Sequence, residues 1–376
     1  MHYYQINQVK IPLAEKENIE VFFCDQYKVS LKNFKVLRLS LDSRKKRKML
    51  WVANLYFESD QKLKIPGIIL CKPYAKSSAY VNADGLGLNF KQVIHIVGAG
   101  PCGLWAALSL VKKGYKVHIY ERGNPVEERF RDIRKFLKQN NLNENSNVLY
   151  GEGGAGAFSD GKLTCRTRND FTKQVLQDFV DVGAPDWVEF ASRAHIGTDQ
   201  LQFHVKGIRK WIQELGGVFH FNSCLDDLDV QNNSLKRFAI NGQWIESENL
   251  IVATGHSARD VYKLLYHNGV KMECKDFAIG FRVEHPQALI NNNRYGSEKV
   301  LQHTGTAEYS LFCKIDGGAY SFCMCPGGVL IPCSTQQGMM ATNGMSYSTR
   351  KGKFANSGIV VPVSYTHLRA HETRIH

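Results

Sequence analysis

The segment VIHIVGAGPCG, residues 93–103, limits what this chain can fold into more than any other stretch. A short apolar run of the kind that forms a buried parallel strand leads directly into a glycine-rich turn. Beyond the turn, Leu104, Ala107, Leu108 and Val111 recur at helical spacing, and Gly114 supplies a stop. KVHIY, residues 116–120, reads as a second strand and is closed by Glu121. The stretch is a βαβ unit. Gly98, Gly100 and Gly103 give it the spacing G-x-G-x-x-G in the strand–turn–helix context that a dinucleotide fingerprint requires.

Each position has a physical task. Gly98 permits the tight turn out of the strand, Gly100 lets the backbone approach a pyrophosphate, and Gly103 lets the helix pack closely on the sheet. The phosphates are expected on the helix N-terminus, where free N–H groups and the helix dipole favour negative charge. Glu121 is placed to accept hydrogen bonds from ribose hydroxyls. Its charge argues against a 2′-phosphate there, which leaves FAD or NAD.

Two later stretches favour FAD. LIVATGHS, residues 250–257, is an apolar strand ending in Ala253, Thr254 and Gly255, small enough for close backbone approach to a ligand. GEGGAGAFSDGKL, residues 151–163, is too rich in glycine for a core element and suits a loop offering N–H groups to an anion or to a flavin ring edge. Lys162 in that loop is either a fixed cation for charge developing on a reduced flavin or an ordinary surface lysine.

The rest of the 376 residues allow two or three domains. Residues 1–58 read as a small α+β domain: β-rich stretches flank a potentially helical segment, residues 15–25. Its basic run RKKRK, residues 44–48, is expected at a solvated hairpin tip, with a nucleic-acid or partner patch as the alternative. Residues 59–91 read as a linker, 92–260 as the FAD-binding Rossmann-like domain, and 261–362 as an inserted, mainly β, substrate-facing domain that is incomplete. Residues 363–376, VSYTHLRAHETRIH, resemble translated adaptor read-through and are expected to be non-native.

No run of about 18 apolar residues occurs and the N-terminus lacks a signal-peptide pattern, so no membrane span and a cytoplasmic location are expected. The ten cysteines include no CxxC pair, which fits reduced thiols. A net charge of +13 suits phosphates and anionic substrates as well as it suits nucleic acid.

Taken together, GAGPCG with Glu121, GEGGAGAFSDGKL, HIGTD (residues 195–199), ATG and CMCPGG (residues 323–328) resemble the bacterial NAD(FAD)-utilising dehydrogenases, FAD-dependent proteins related to the glutathione reductase type. The resemblance implies a Rossmann-like fold with FAD as cofactor and NAD(P)H as a candidate electron donor. It implies that Gly98, Gly100, Pro101, Gly103 and Glu121 hold the ADP part. It further places Arg122 and Arg129 near the ribose or pyrophosphate, and the loop residues Gly153, Gly154, Ala155, Gly156, Ser159, Gly161 and Lys162 along the ribityl chain and ring. Leu225 would offer backbone groups to the adenine, and Thr254 and Gly255 would close the site. Members of that family run longer and close the FAD domain with a further GD-containing segment, so the chain is expected to be truncated.

No catalytic residue is fixed by pattern. Cys323 and Cys325, two apart, would share one face of a strand, either as a redox dithiol or as buried structural residues. A metal site on Cys313, Cys323, Cys325 and Cys333 matches no common ligand spacing, and none is expected. His195, His256 and His285 each stand by a turn or strand end where a general acid or base is useful, His256 foremost because it abuts ATG. The sequence therefore reads as an FAD-dependent oxidoreductase acting on a small molecule. A nucleic-acid-associated or non-catalytic flavin-binding protein is the alternative.

Overall fold

The structure is a computed structural model that describes residues 1–75, 92–164, 167, 169–314 and 317–363. It has a mixed α/β fold in which a Rossmann-like unit carries additional β-sheets. The first of these is N-terminal. Strands β1 (His2–Pro12), β2 (Lys32–Asp42), β3 (Leu50–Ser59) and β4 (Ile68–Leu70) form an antiparallel sheet in the order β2-β3-β1-β4. Helix α1 (Ile19–Tyr27) buries Ile19 and Phe23 against it, and Phe23 meets Phe57 with ring centroids 5.2 Å apart. RKKRK joins β2 to β3 with all five side chains exposed. Strand β4 departs from the linker expected at residues 59–91, because Ile68 and Leu70 pair with Ile6 and Tyr4 of β1. Three residues are too few for periodicity to reveal a strand. Residues 76–91 lie outside the described residues.

The fingerprint forms the expected unit: β5 (Val93–Val97), α2 (Pro101–Val111) and β6 (Lys116–Tyr120), with β5 and β6 parallel. Leu104, Ala107, Leu108 and Val111 are the buried face of α2, as their spacing requires. Helices α3 (Val126–Gln139), α4 (Asp170–Asp181) and α5 (Thr198–Glu214) follow. Strand β7 (Val218–His220) extends the sheet beside β6. Strands β8 (Leu225–Gln231), β9 (Ser234–Ile240) and β10 (Gln243–Glu246) form an antiparallel meander. The chain then returns as β11 (Leu250–Val252) on the other side of β5, giving the order β11-β5-β6-β7. The sheet therefore switches direction of growth at β5, and a crevice opens at the carboxyl ends of β5 and β11.

Helix α6 (Arg259–His267) packs on the meander through Val261, which shares a core with Leu225, Leu228 and Phe238. The region expected to be an inserted, mainly β domain thus begins inside a helix belonging to the cofactor-side core. It also contains α7 (Gln287–Tyr295) and α8 (Leu301–Thr304) beside its strands. Strands β12 (Phe277–Pro286), β13 (Phe312–Cys313), β14 (Ala319–Cys325) and β17 (Phe354–Val363) form an antiparallel sheet ordered β12-β17-β14-β13, and β15 (Val329–Cys333) pairs with β16 (Ala341–Met345). Ile331 and Cys333 of β15 reach into the Rossmann core. Val363, the first residue of the expected non-native tail, is paired with Phe277 in this sheet. The remainder of the tail lies outside the described residues.

Candidate active site: a dinucleotide cavity

At the switch point lies a cavity of about 560 Å³, within the roughly 300–1,000 Å³ usual for ligand sites. Its floor is the turn from β5 into α2, Gly98, Gly100, Pro101 and Cys102. One wall is Glu121, Arg122, Tyr150, Gly151 and residues 154–156; the opposite wall is residues 252–257 with Val261 and Tyr262. Leu225 closes it beside Ser223.

The three fingerprint glycines are needed for different reasons. A Cβ on Gly98 would stand 2.4 Å from the Ala253 carbonyl oxygen, and one on Gly103 would stand 1.9 Å from that of Gly98. Both therefore serve the packing of β5, β11 and α2. A Cβ on Gly100 would meet nothing nearer than the Gly154 Cα at 3.9 Å, so it would point into open cavity. Gly100 is also the N-cap of α2, and no side chain caps that helix end. The first-turn N–H groups are left for a ligand, as a pyrophosphate requires.

Glu121 is buried at the end of β6 and accepts hydrogen bonds from Ala99 N (2.7 Å), Gly123 N (2.9 Å) and Gly151 N (3.0 Å). Two of these fall on Oε1 and one on Oε2. A carboxylate has about four acceptor directions, so Oε2 keeps one that no described protein donor fills. The same bonds make Glu121 the clamp that holds the turn and the Gly151 loop together. Arg122 lies over the Tyr150 ring, 4.6 Å from its centroid, and pairs with Asp260 of α6 at 2.7 Å. Tyr150 in turn donates to the Ser257 carbonyl at 2.5 Å.

Arg129 does not stand where the resemblance implies. It is fully buried and outside the cavity lining, and its guanidinium donates to the carbonyls of Asn147, Val148, Glu152 and Gly154 at 2.5–3.2 Å. Five donors in a fixed fork suit a cluster of carbonyls. Arg129 shapes the loop from inside and presents no charge to a phosphate. Beside it, burial pushes the Glu152 carboxyl up to about 7, against the pull of Arg209 at 3.0 Å.

The remaining loop residues divide. Gly154, Ala155 and Gly156 line the cavity. Gly153, at φ +80°, packs toward Val205, and its N–H donates to the Ala99 carbonyl at 2.8 Å. The Ser159 hydroxyl donates to the Gly156 carbonyl at 2.7 Å and accepts from Gly161 N at 3.0 Å, bracing the turn. Lys162 is neither free nor on the surface alone: its Nζ donates to Asp160 and to the Met324 carbonyl, both at 2.5 Å. Thr254, Gly255 and an exposed His256 line the far wall.

The other candidates are elsewhere. His195 lines a second cleft of about 1,240 Å³ together with Trp51, Trp187, Arg193, Tyr295 and Arg350. Its Nε2 lies 3.3 Å from the Ser348 carbonyl, and burial, reinforced by Arg350, lowers it to about 4, which keeps it neutral. Asp199 holds Ser348 through N (2.7 Å) and Oγ (2.8 Å). His285 bonds Tyr309 at 2.8 Å. Cys323 and Cys325 line neither cavity. Among the described residues no cluster of three or more His, Cys, Asp or Glu could hold a metal, and no helix is long and apolar enough to cross a membrane. Tyr150, Tyr262 and Ser223 join the cavity without any signal in the sequence, since they arrive from separate elements.

This fold and site define an FAD-dependent protein with a Rossmann-like dinucleotide domain. Residues 276–374 match the family described as FAD-dependent protein, C-terminal domain-like, and residues 96–127 match the NAD(P)-binding Rossmann-like domain. An uncharacterized protein of Clostridium beijerinckii is 39% identical over 377 residues, spanning 96% of this chain and 69% of the relative. The chain belongs to the family of that protein, and FAD is its cofactor. Among solved structures, THI4 of Thermovibrio ammonificans aligns at 20% identity over 47% of this chain and 63% of its own, with a TM-score of 0.31. CtdE in complex with FAD aligns at 14% identity over 73% of this chain and 60% of its own, with a TM-score of 0.29. The chain thus spans less than two thirds of the length of either. NikD, an amino acid oxidase essential for nikkomycin biosynthesis, aligns at 12% identity over 72% and 70%, with a TM-score of 0.31. The residues that the fingerprint singles out fit FAD on geometry as well: an open Gly100, an uncapped helix end and a spare carboxylate acceptor meet in one cavity.

Proposed function

We propose that this chain is an FAD-dependent oxidoreductase of the glutathione reductase type, passing hydride between a small-molecule substrate or NAD(P)H and the flavin. The observation that carries the reading is the cavity at the switch point, where Gly100, the N-terminus of α2 and Glu121 converge. FAD supplies hydride transfer, and the protein supplies orientation and electrostatics. The N–H groups of the first turn of α2 hold the pyrophosphate, Glu121 holds a ribose hydroxyl, and the backbone of residues 154–156 borders the chain beyond it. His256, at the cavity wall beside Thr254 and Gly255, is placed to exchange a proton with a substrate. The nine described cysteines are all free, which supports a reducing, cytoplasmic setting.

The test is an anaerobic titration of the purified protein loaded with FAD. NADH or NADPH should bleach the visible flavin band stoichiometrically, and an added oxidised substrate should restore it. A protein that binds no flavin, or whose flavin yields only to a chemical reductant, would overturn the reading.

A further inference from the structure

We propose that Cys323 and Cys325 form a redox-active dithiol, with Cys323 as the attacking thiolate and Cys325 as the resolving thiol, that exchanges with small disulfides such as glutathione disulfide.

The argument starts from the strand. In an extended strand, residues two apart are separated by about 6.6 Å, near the upper end of the roughly 4.4–6.8 Å that a disulfide spans. Strand β14 is not extended here: its register against β17 breaks between Phe322 and Cys325, and Cys323 adopts φ +48°. This left-handed residue is costly for a side chain with a Cβ. With it, Cys325 Sγ donates to the Cys323 carbonyl oxygen at 3.3 Å.

Cations face the pair from two other elements. Arg282 of β12 donates through Nη1 to the Cys323 carbonyl at 3.0 Å and to Asn356 Oδ1 at 2.8 Å, while its buried Nε has no partner. Lys162 of the glycine-rich loop holds the Met324 carbonyl between the two cysteines. Asp160 acts on Cys325 as an acid, and it is itself neutralised by Lys162 and Arg350. The neighbouring Cys325 thiol, then Lys162 and Arg282, lower the Cys323 thiol against the effect of burial. The proximity of Cys323 and burial raise Cys325. One thiol is thus ready as a nucleophile while the other keeps its proton. Cys323 is half-buried, next to an exposed Phe322, so a small disulfide can reach it.

The exchange balances without any other reactant. The Cys323 thiolate attacks one sulfur of the disulfide, that S–S bond breaks, and one thiolate leaves and takes up a proton. The Cys325 thiol then loses its proton to solvent and attacks Cys323 Sγ, and the second thiolate departs. One disulfide is reduced to two thiols and the protein dithiol is oxidised to one disulfide.

The experiment uses the full chain with FAD bound, exposed to glutathione disulfide and mapped by peptide mass. In the wild type, the peptide holding both cysteines should lose two hydrogens. In Cys325→Ser, the same peptide should carry one glutathione on Cys323, and Cys323→Ser should carry none. A parallel iodoacetamide profile should show Cys323 reacting well below the ordinary thiol pKa of about 8.5, with the exposed Cys102, Cys274 and Cys313 as the reference. No internal disulfide in the wild type, or a Cys323 no more reactive than the exposed cysteines, would overturn the proposal. Neither arm requires flavin turnover, so its failure is separable from that of the oxidoreductase reading.

Discussion

Gly100 is the residue at which ligand and fold make different demands. Its φ of −74° is open to any residue, and a Cβ there would meet no protein atom closer than 3.9 Å. Gly100→Val should therefore leave the melting temperature of the flavin-free protein within about 0.5 kcal/mol equivalent of wild type. It should nonetheless lower FAD affinity by at least about tenfold, because the side chain fills the path of the pyrophosphate. Unchanged affinity in a flavin-binding titration would place the pyrophosphate elsewhere. Spacing alone identified Gly98, Gly100 and Gly103, because G-x-G-x-x-G is local geometry. It could not separate the two that pack backbone on backbone from the one that faces the cavity. Arg129 shows the limit from the other side: its carbonyl partners come from a loop some twenty residues away, and only the folded loop turns them inward.

Within the elements, the parallel sheet holds a row of histidines. His95 of β5, His118 of β6 and His220 of β7 lie side by side, with His118 Nδ1 3.0 Å from His220 Nε2 and His95 Nδ1 3.2 Å from the Tyr120 hydroxyl. Burial, then the neighbouring His118 and His220, lowers His95 from 6.5 to about 4. A histidine that is harder to protonate when folded contributes stability that is complete above pH 6.5 and is lost as pH falls from 6.5 toward 4. Acid should therefore weaken the protein across that window. His95→Gln should flatten the loss by an amount of order 2 kcal/mol, read as a smaller drop in melting temperature between pH 7 and pH 4.5. Equal slopes in both proteins would rule His95 out as a source of acid sensitivity. The βαβ unit itself was legible because strand, turn and helix each carry their own periodicity. The bulge in β14 was not, since simple alternation assumes an unbroken strand.

Across the whole molecule, the N-terminal sheet docks on the rest through β2: Leu39 N donates to the Phe190 carbonyl at 2.8 Å, and Ser192 N donates to that of Leu39 at 2.9 Å. The second cleft opens along this junction. RKKRK carries five exposed side chains, and its Arg44 pairs with Asp42 at 2.6 Å. Replacing residues 44–48 with serine should leave flavin reduction unchanged and shift stability by no more than about 0.5 kcal/mol per position. A large salt-dependent loss of RNA binding in that variant would instead favour a nucleic-acid-associated flavoprotein.

What the sequence determined by itself is what depends on neighbours along the chain: the fingerprint, the helix after it, the acidic end of β6, and a glycine-rich loop suited to a bound cofactor. What only the tertiary structure decided is which of these groups meet. His256 and His195 read alike as histidines at turns, yet one lines the dinucleotide cavity and the other is half-buried and neutral in a different cleft. Lys162 reads as a loop cation that could serve the flavin ring, yet the fold ties it to Asp160 and to the carbonyl between two cysteines some 160 residues further on. The reason is physical. Periodicity and turn chemistry act over a few residues, whereas charge, burial and hydrogen bonding act over a few ångströms, and only the fold converts one into the other.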